Sequence, residues 1–185
     1  MTVSPELDAR FRRAAADEGL LDVAYELHDS PIGRLFVAVT DRGLCEIHYD
    51  ADPDAEVERL ARLFGTRVLR SPRPTDQARR QLDEYFAGER RRFDLPVDLR
   101  LAREFGRTVL EELARVPYGE LTTYGTLAKK AGRPRAARAV GTVMNRNPVP
   151  IVLPCHRVVG STGALTGYAG GLDRKRTLLE LEGAI

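Results

Sequence analysis

No tryptophan occurs in this chain, and there are only two cysteines, Cys45 and Cys155, and three histidines, His28, His48 and His156. Two cysteines cannot build a disulfide framework, so a reducing compartment is the expectation. The histidines are scattered, with no Cys/His cluster at zinc spacing, so no structural metal is expected. Apolar runs approaching the ~20 residues of a membrane span are missing too. The first twenty residues are rich in Arg, Asp and Glu and have no apolar core, unlike a secretory signal. These absences describe a soluble globular chain of one large or two small domains. It is expected in the cytoplasm, or in the nucleus of a eukaryote.

A further absence is local. The 185 residues carry 29 Lys and Arg against 27 Asp and Glu, a net +2. Residues 1–100 hold 16 basic and 20 acidic residues, net −4, whereas residues 101–185 hold 13 and 7, net +6. Asp and Glu vanish between Glu120 and Asp173, and those 52 residues carry Lys129, Lys130, Arg133, Arg135, Arg138, Arg146 and Arg157. An uncompensated basic stretch attracts polyanions, commonly nucleic acid, or is simply a basic surface without a partner.

Up to about residue 20 the chain reads as a short amphipathic or frayed lead-in. Residues 22–29 alternate apolar and polar, a strand signature. After the turn Ser30-Pro31-Ile32-Gly33, strands follow at 34–40 and 44–49, which makes a small antiparallel meander. Cys45 and His48 fall in its third strand, out of phase with each other, and read as structural. Pro53 opens a helix to about Phe64, and Thr75 caps another that ends at Gly88. Residues 89–100, with Pro96 and a run of arginines, read as a linker. The expected division is an N-terminal antiparallel-sheet domain, 1–98, and a C-terminal helix-turn-helix domain, 99–185.

The second half begins with a helix over 101–116, ended by Pro117-Tyr118-Gly119. Thr122 or Thr123 caps a short helix from Tyr124 to Ala131, closed by Gly132. Pro134 opens the next, which runs through Met144. Two short helices joined by a Gly-containing turn form a helix-turn-helix, the second being the recognition helix. In Arg135-Ala136-Ala137-Arg138-Ala139-Val140-Gly141 small residues line one face, and Arg135 and Arg138 share a face three apart. Base reading in the major groove needs several Arg, Asn or Gln side chains, and this helix offers few. Shallow, sequence-tolerant docking is the expectation. A Gly-rich stretch, 160–171, and a final helix from Asp173 to Glu182 complete the chain.

Between these helices lies Pro150-Ile151-Val152-Leu153-Pro154-Cys155-His156-Arg157. A thiol becomes nucleophilic as the thiolate, and basic neighbours favour that form. Here a His and an Arg adjoin the thiol. Read alone, the motif fits two descriptions equally: a reactive cysteine, or a small buried hydrophobe that ends a strand.

The run Pro148 to Val159 resembles the signature of the O6-alkylguanine-DNA alkyltransferases. The likeness extends upstream to Tyr124 and the 135–141 helix, and downstream through Gly167-Tyr168-Ala169-Gly170-Gly171-Leu172 to Leu181-Glu182-Gly183. It covers roughly residues 101–184 in three segments in the right order. The N-terminal meander is compatible with the family's first domain. The implied fold is α+β: an RNase H-like N-terminal domain with a small antiparallel sheet, then a mostly helical winged-helix or helix-turn-helix domain that carries the Cys loop.

The resemblance implies direct reversal of DNA damage. O6-alkylguanine, and O4-alkylthymine, is flipped out of duplex DNA, and its alkyl group passes irreversibly to Cys155. His156 acts through water as the base, Glu182 orients His156, and Asn147 braces the loop. Arg138 enters the stack, with Arg135 and Ala139 beside it at the DNA. Tyr124 crowds the flipped nucleotide and donates to the leaving guanine. The carbonyls of Cys155 and Val158 accept from the guanine amino group, and Pro150 and Tyr168 line the alkyl pocket. Ala169 stands where some members carry Ser. The relevant donor there is the backbone N–H, which Ala keeps. The metal ligands some members carry have no counterpart here, and no cofactor is implied because the lesion is the alkyl donor. A monomer is expected, with cooperative loading on DNA left open. Two rival readings use the same residues: a cysteine hydrolase, for which no oxyanion hole is marked, and a lesion-binding protein that does not transfer.

Overall fold

Alternating apolar residues in the first half produce the sheet the pattern predicts. The computed structural model describes residues 4–185, so the first three residues of the expected lead-in lie outside them. From Pro5 to Asp17 the lead-in is a helix, α1, capped by Ser4, whose Oγ accepts from Leu7 N–H. Strands β1 (Val23–His28), β2 (Leu35–Thr40) and β3 (Gly43–Tyr49) form the antiparallel meander, with Leu27 opposite Phe36 and Val37 opposite Ile47.

Helix α2 (Pro53–Phe64) has Pro53 in its first turn, and Asp52 caps it by accepting from Asp54 N–H at 3.1 Å. A fourth strand, β4 (Val68–Arg70), pairs parallel to β1, so the sheet order is β3-β2-β1-β4 and the sheet is mixed. Three residues are too few to show a period, and the purely antiparallel expectation therefore missed β4. Helix α3 spans Pro72–Phe86. Thr75 does not cap it. The helix starts three residues earlier, and the Thr75 hydroxyl donates back to Pro72 O at 2.8 Å.

The chain divides into two compact units, one ending at Glu84 with Asp94–Asp98 added, the other formed by Tyr85–Phe93 and Leu99–Ile185. The first unit packs Val23, Phe36, Ala38, Cys45, Leu60 and Val68 into one core. Cys45 is a buried hydrophobe there, its thiol donating to Ala38 O at 3.3 Å. Residues 94–98 are not the free linker their composition suggested. Leu44 N–H donates to Pro96 O and Asp98 N–H to Leu44 O, both at 2.8 Å. Gly43, at φ +122°, leaves no room for a side chain there: a Cβ would sit 2.2 Å from Pro96 O.

His48 lies between two carboxylates, with Nε2 2.7 Å from Glu46 Oε1 and Nδ1 2.9 Å from Glu56 Oε1. Both ring nitrogens face acceptors, so the imidazolium is favoured. The Glu46 hydrogen bond, followed by the charges of Glu46 and Glu56, raises its pKa against burial and Arg59. A raised folded-state pKa gives stability that is complete below the unfolded value of about 6.5 and is lost as pH rises through the folded value. We predict that Tm falls more steeply between about pH 6 and 9 in the wild type than in His48→Gln. Parallel slopes in the two proteins would contradict the pairing.

In the second unit, α4 (Glu104–Ala114) buries Val109, Leu110 and Leu113, and α5 (Tyr124–Lys130) is capped by Thr123, whose Oγ1 accepts from Thr126 N–H at 3.1 Å. Helix α6 covers Ala137–Asn145, not from Pro134: residues 134–136 form a turn and a link before it. Arg135 is therefore in the turn and does not share a helical face with Arg138. Helix α7 is Leu172–Leu181. Two short strands, β5 (Thr122–Thr123) and β6 (Val158–Val159), pair parallel, Thr122 opposite Val158. This pairing ties the segment after Cys155 to the start of α5. No helix among the described residues is long and apolar enough to cross a membrane.

Candidate active site

The approach to Cys155 is a buried apolar loop held by one polar side chain. Asn147 Oδ1 accepts from Val149 N–H at 3.2 Å, and its Nδ2 donates to Leu153 O at 2.8 Å. The loop folds back on Asn147. Within it Ile151 adopts φ +75°, a strained conformation for a β-branched residue, and its side chain is fully buried. Cys155 then opens a single 3-10 turn, Cys155–Arg157, which leads directly into β6.

Cys155 is 4% exposed. Burial pushes its thiol up to about 11, against the pull of a hydrogen bond from the Asn147 side chain, nearby backbone N–H groups and the Lys175 charge. The resting group is a thiol, not the thiolate that its basic neighbours in sequence suggested, because Arg157 turns elsewhere. At neutral pH we predict that iodoacetamide labels Cys155 in the folded protein roughly a hundredfold more slowly than in the unfolded chain, read by peptide mass. A rate equal to or above that of the unfolded chain would contradict the raised thiol.

Glu182 is the centre of the buried polar network. Its Oε1 accepts from Tyr85 Oη at 2.7 Å, His156 Nε2 at 2.9 Å and Arg157 Nη2 at 2.8 Å. Its Oε2 accepts from Arg157 Nε at 2.8 Å and Gly119 N–H at 3.2 Å. Gly119 has φ +76°, and a Cβ there would lie 3.0 Å from Glu182 O, so glycine allows this approach. Burial alone would raise the Glu182 carboxyl, but the His156 and Arg157 hydrogen bonds and charges outweigh it and hold it down at about 2.

His156 is fully buried, and burial lowers its pKa against the Glu182 hydrogen bond. It is therefore neutral at neutral pH. Glu182 only accepts, so the network assigns the proton to Nε2 and leaves Nδ1 as the basic nitrogen. Nδ1 is buried and has no protein hydrogen-bond partner.

Lys175 is fully buried, and its Nζ donates to Val158 O at 2.6 Å and Thr166 O at 2.8 Å. Burial lowers its pKa, and its charge acts on Cys155. Tyr124, half-buried at the start of α5, donates its hydroxyl to Thr166 O at 3.3 Å. Its ring lies 3.9 Å from the place of a Cβ on Gly141. Arg135, Arg138 and Ala139 are exposed, Pro150 and Val158 are buried, Tyr168 is half-buried and Ala169 is exposed. The structure thus places half-buried Asn147 beneath the loop that leads to buried Cys155, joins the next residue, His156, to Glu182, and leaves Arg138 and Ala139 exposed on α6. Among the described residues no group of three or more His, Cys, Asp or Glu could hold a metal ion.

Residues 104–184 match the family model of the 6-O-methylguanine DNA methyltransferase DNA-binding domain, and residues 23–99 match that of the ribonuclease-like domain of the same methyltransferases. The chain belongs to the 6-O-methylguanine DNA methyltransferase family. It is 47% identical over 160 residues to the methylated-DNA–protein-cysteine methyltransferase of Mycolicibacterium paratuberculosis, covering 86% of this chain and 92% of that protein. The protein of the same name from Methanosarcina acetivorans is 42% identical over 166 residues, covering 86% and 98%. Among solved structures, Mycobacterium tuberculosis OGT in complex with DNA superposes with a TM-score of 0.76 at 41% identity, covering 87% of this chain and 93% of that one. The O6-methylguanine-DNA methyltransferase of Pyrococcus kodakaraensis gives a TM-score of 0.60 at 30% identity, covering 87% and 99%. DNA is the partner of this methyltransferase.

Three residues of the buried network in this methyltransferase carry little signal in the sequence. Arg157 reads there as part of the basic, DNA-attracting stretch. It is instead 6% exposed and paired with Glu182. Lys175 sits on the face of α7 that buries Leu178 and Leu179, three and four residues on. A lysine in an apolar stripe was the available signal. Tyr85 shares the buried face of α3 with Ala78 and Leu82 and looked like packing.

Proposed function

We propose that Cys155 takes the alkyl group of O6-alkylguanine in a base flipped out of duplex DNA, with His156 as its base and Glu182 holding His156. This is direct-reversal repair by alkyl transfer to cysteine. The observation that carries the assignment of roles is the His156 ring: Nε2 bound to the Glu182 carboxylate, and Nδ1 basic and without a protein partner.

The step balances simply. The Cys155 S–H proton passes toward His156 Nδ1, directly or through a water. Sulfur attacks the alkyl carbon, a C–S bond forms and the C–O6 bond breaks. The guanine leaves with that electron pair and takes up a proton, for which Tyr124 is the candidate donor. Thiolate formed only as the proton leaves suits a thiol that rests protonated. Stacking and pairing lost on flipping cost a few kcal/mol, and less for a poorly paired lesion. Arg138, exposed on α6, fills the vacated stack, with Arg135 and Ala139 at the backbone beside it. Pro150 and Tyr168 shape the alkyl pocket, and the N–H of Ala169 faces the lesion. The carbonyls of Val158 and Cys155 receive the guanine amino group.

The product is a thioether. Water has no carbonyl to attack, so the protein is spent after one event. DNA carrying label in the methyl of O6-methylguanine tests the proposal. One label per chain, on the Cys155 peptide, supports it, and label released to solution over many turnovers overturns it.

A further inference from the structure

We propose that Tyr85 is a positioning residue for the transfer, its phenol sharing Glu182 Oε1 with His156 and so setting how strongly that carboxylate holds the imidazole. The proposal rests on the reading of Cys155 as acceptor and His156 as its base.

Tyr85 comes from the last turn of α3 and is fully buried. Its hydroxyl donates to Glu182 Oε1 at 2.7 Å, the shortest of the three hydrogen bonds on that oxygen. A carboxylate oxygen has two lone pairs, so three donors on one oxygen share its charge. What Tyr85 draws from Oε1, His156 Nε2–H does not receive. A weaker pull on Nε2–H makes Nδ1 less basic, which favours neutral imidazole at the moment the thiol proton must be taken.

The ring is also held from several sides. It lies 5.4 Å from the Phe86 and Phe93 rings and 6.1 Å from the Tyr118 ring, centroid to centroid. These contacts survive in Tyr85→Phe, so loss of the hydroxyl separates electrostatics from packing. Cys155 and Arg157 come from the 3-10 turn and Lys175 from α7, while Tyr118 follows α4 and carries Arg91 over its ring at 5.7 Å. Of these groups only Arg157 donates to Oε1, beside His156.

The test is the pH–rate profile of single-turnover methyl transfer from O6-methylguanine DNA. Wild type, Tyr85→Phe and protein with 3-fluorotyrosine at position 85 are compared, with lesion-DNA affinity measured on each. In Tyr85→Phe the acid limb moves to higher pH by about half a unit to one unit, the reach of one hydrogen bond to a charge. Affinity stays within about twofold, since DNA contacts are elsewhere. The fluorinated phenol is a stronger donor and moves the limb the other way. A merely structural role would lower the rate without moving the limb. Limbs that superimpose on wild type overturn the proposal, and if Tyr85→Phe does not fold, an unshifted limb with fluorotyrosine overturns it alone. Wild type that takes no label on Cys155 would bring down the acceptor reading itself, an outcome distinct from labelled wild type with unshifted limbs.

Discussion

Cys155→Ala loses alkyl transfer altogether, a fall of at least about 10⁴-fold, while its affinity for lesion DNA stays within about threefold. Two separate causes set the two numbers. Transfer needs an atom that can form the new bond to carbon, and no neighbour replaces it. The other described cysteine, Cys45, is buried in the core of the first unit with Phe36 and Leu60. Affinity for DNA in general comes mostly from phosphate contacts, and Cys155 is buried and has no charge to offer a phosphate. Single-turnover transfer and a fluorescence titration with lesion DNA measure the two. Residual transfer within tenfold of wild type would move the acceptor to another residue.

Glu182→Ala has the largest expected effect on stability. The carboxylate accepts from Tyr85, His156, Gly119 and twice from Arg157. Removing it leaves the Arg157 cation, 6% exposed, with the Val116 carbonyl at 2.5 Å and the Tyr118 ring as its partners among the described residues. Breaking one side of a buried pair costs about 3–5 kcal/mol. For a chain of this size that corresponds to a Tm lower by roughly 6–20 °C. Glu182→Gln keeps the shape and an acceptor oxygen, so its loss is smaller, but its amide nitrogen faces donors it cannot accept from. A thermal melt of both variants checks the order. Acid should have a related effect. The carboxyl is held at about 2, so its contribution is complete above its ordinary value of 4.5 and is lost as pH falls toward 2. A Glu182→Ala melt within 2 °C of wild type would contradict the network, a margin of about 1 kcal/mol.

Much of this could be read from residues that are neighbours in sequence. Alternation over 22–29 and the turns that follow it predict three strands, and Pro53 marks the start of α2, because these signals are local. The Cys155-His156 pair is likewise a local motif. What stayed hidden depends on partners far along the chain. Tyr85 and Glu182 are 97 residues apart, and Arg157 and Glu182 are 25 apart. Nothing near Arg157 tells that its charge is spent internally and not on DNA. The state of the thiol was hidden for the same reason. Basic neighbours suggest a thiolate, but burial decides, and burial is a property of the whole unit. Strands β5 and β6 have two residues each, too short for any pattern, yet they tie the Cys loop to the start of α5. Pro134 reads as a helix start that puts Arg135 on a helical face, but the chain spends 134–136 before the helix begins.

The central claim is that one alkyl group moves to Cys155 and stays there. Mass spectrometry of the intact protein after exposure to excess O6-methylguanine DNA tests it most directly. The account predicts a single new species, heavier by one methyl group in place of one hydrogen, with the change on the peptide that holds Cys155 and no further gain on adding more DNA. An unmodified protein in a reaction that has consumed the lesion, or a mass shift placed on another residue, would contradict it.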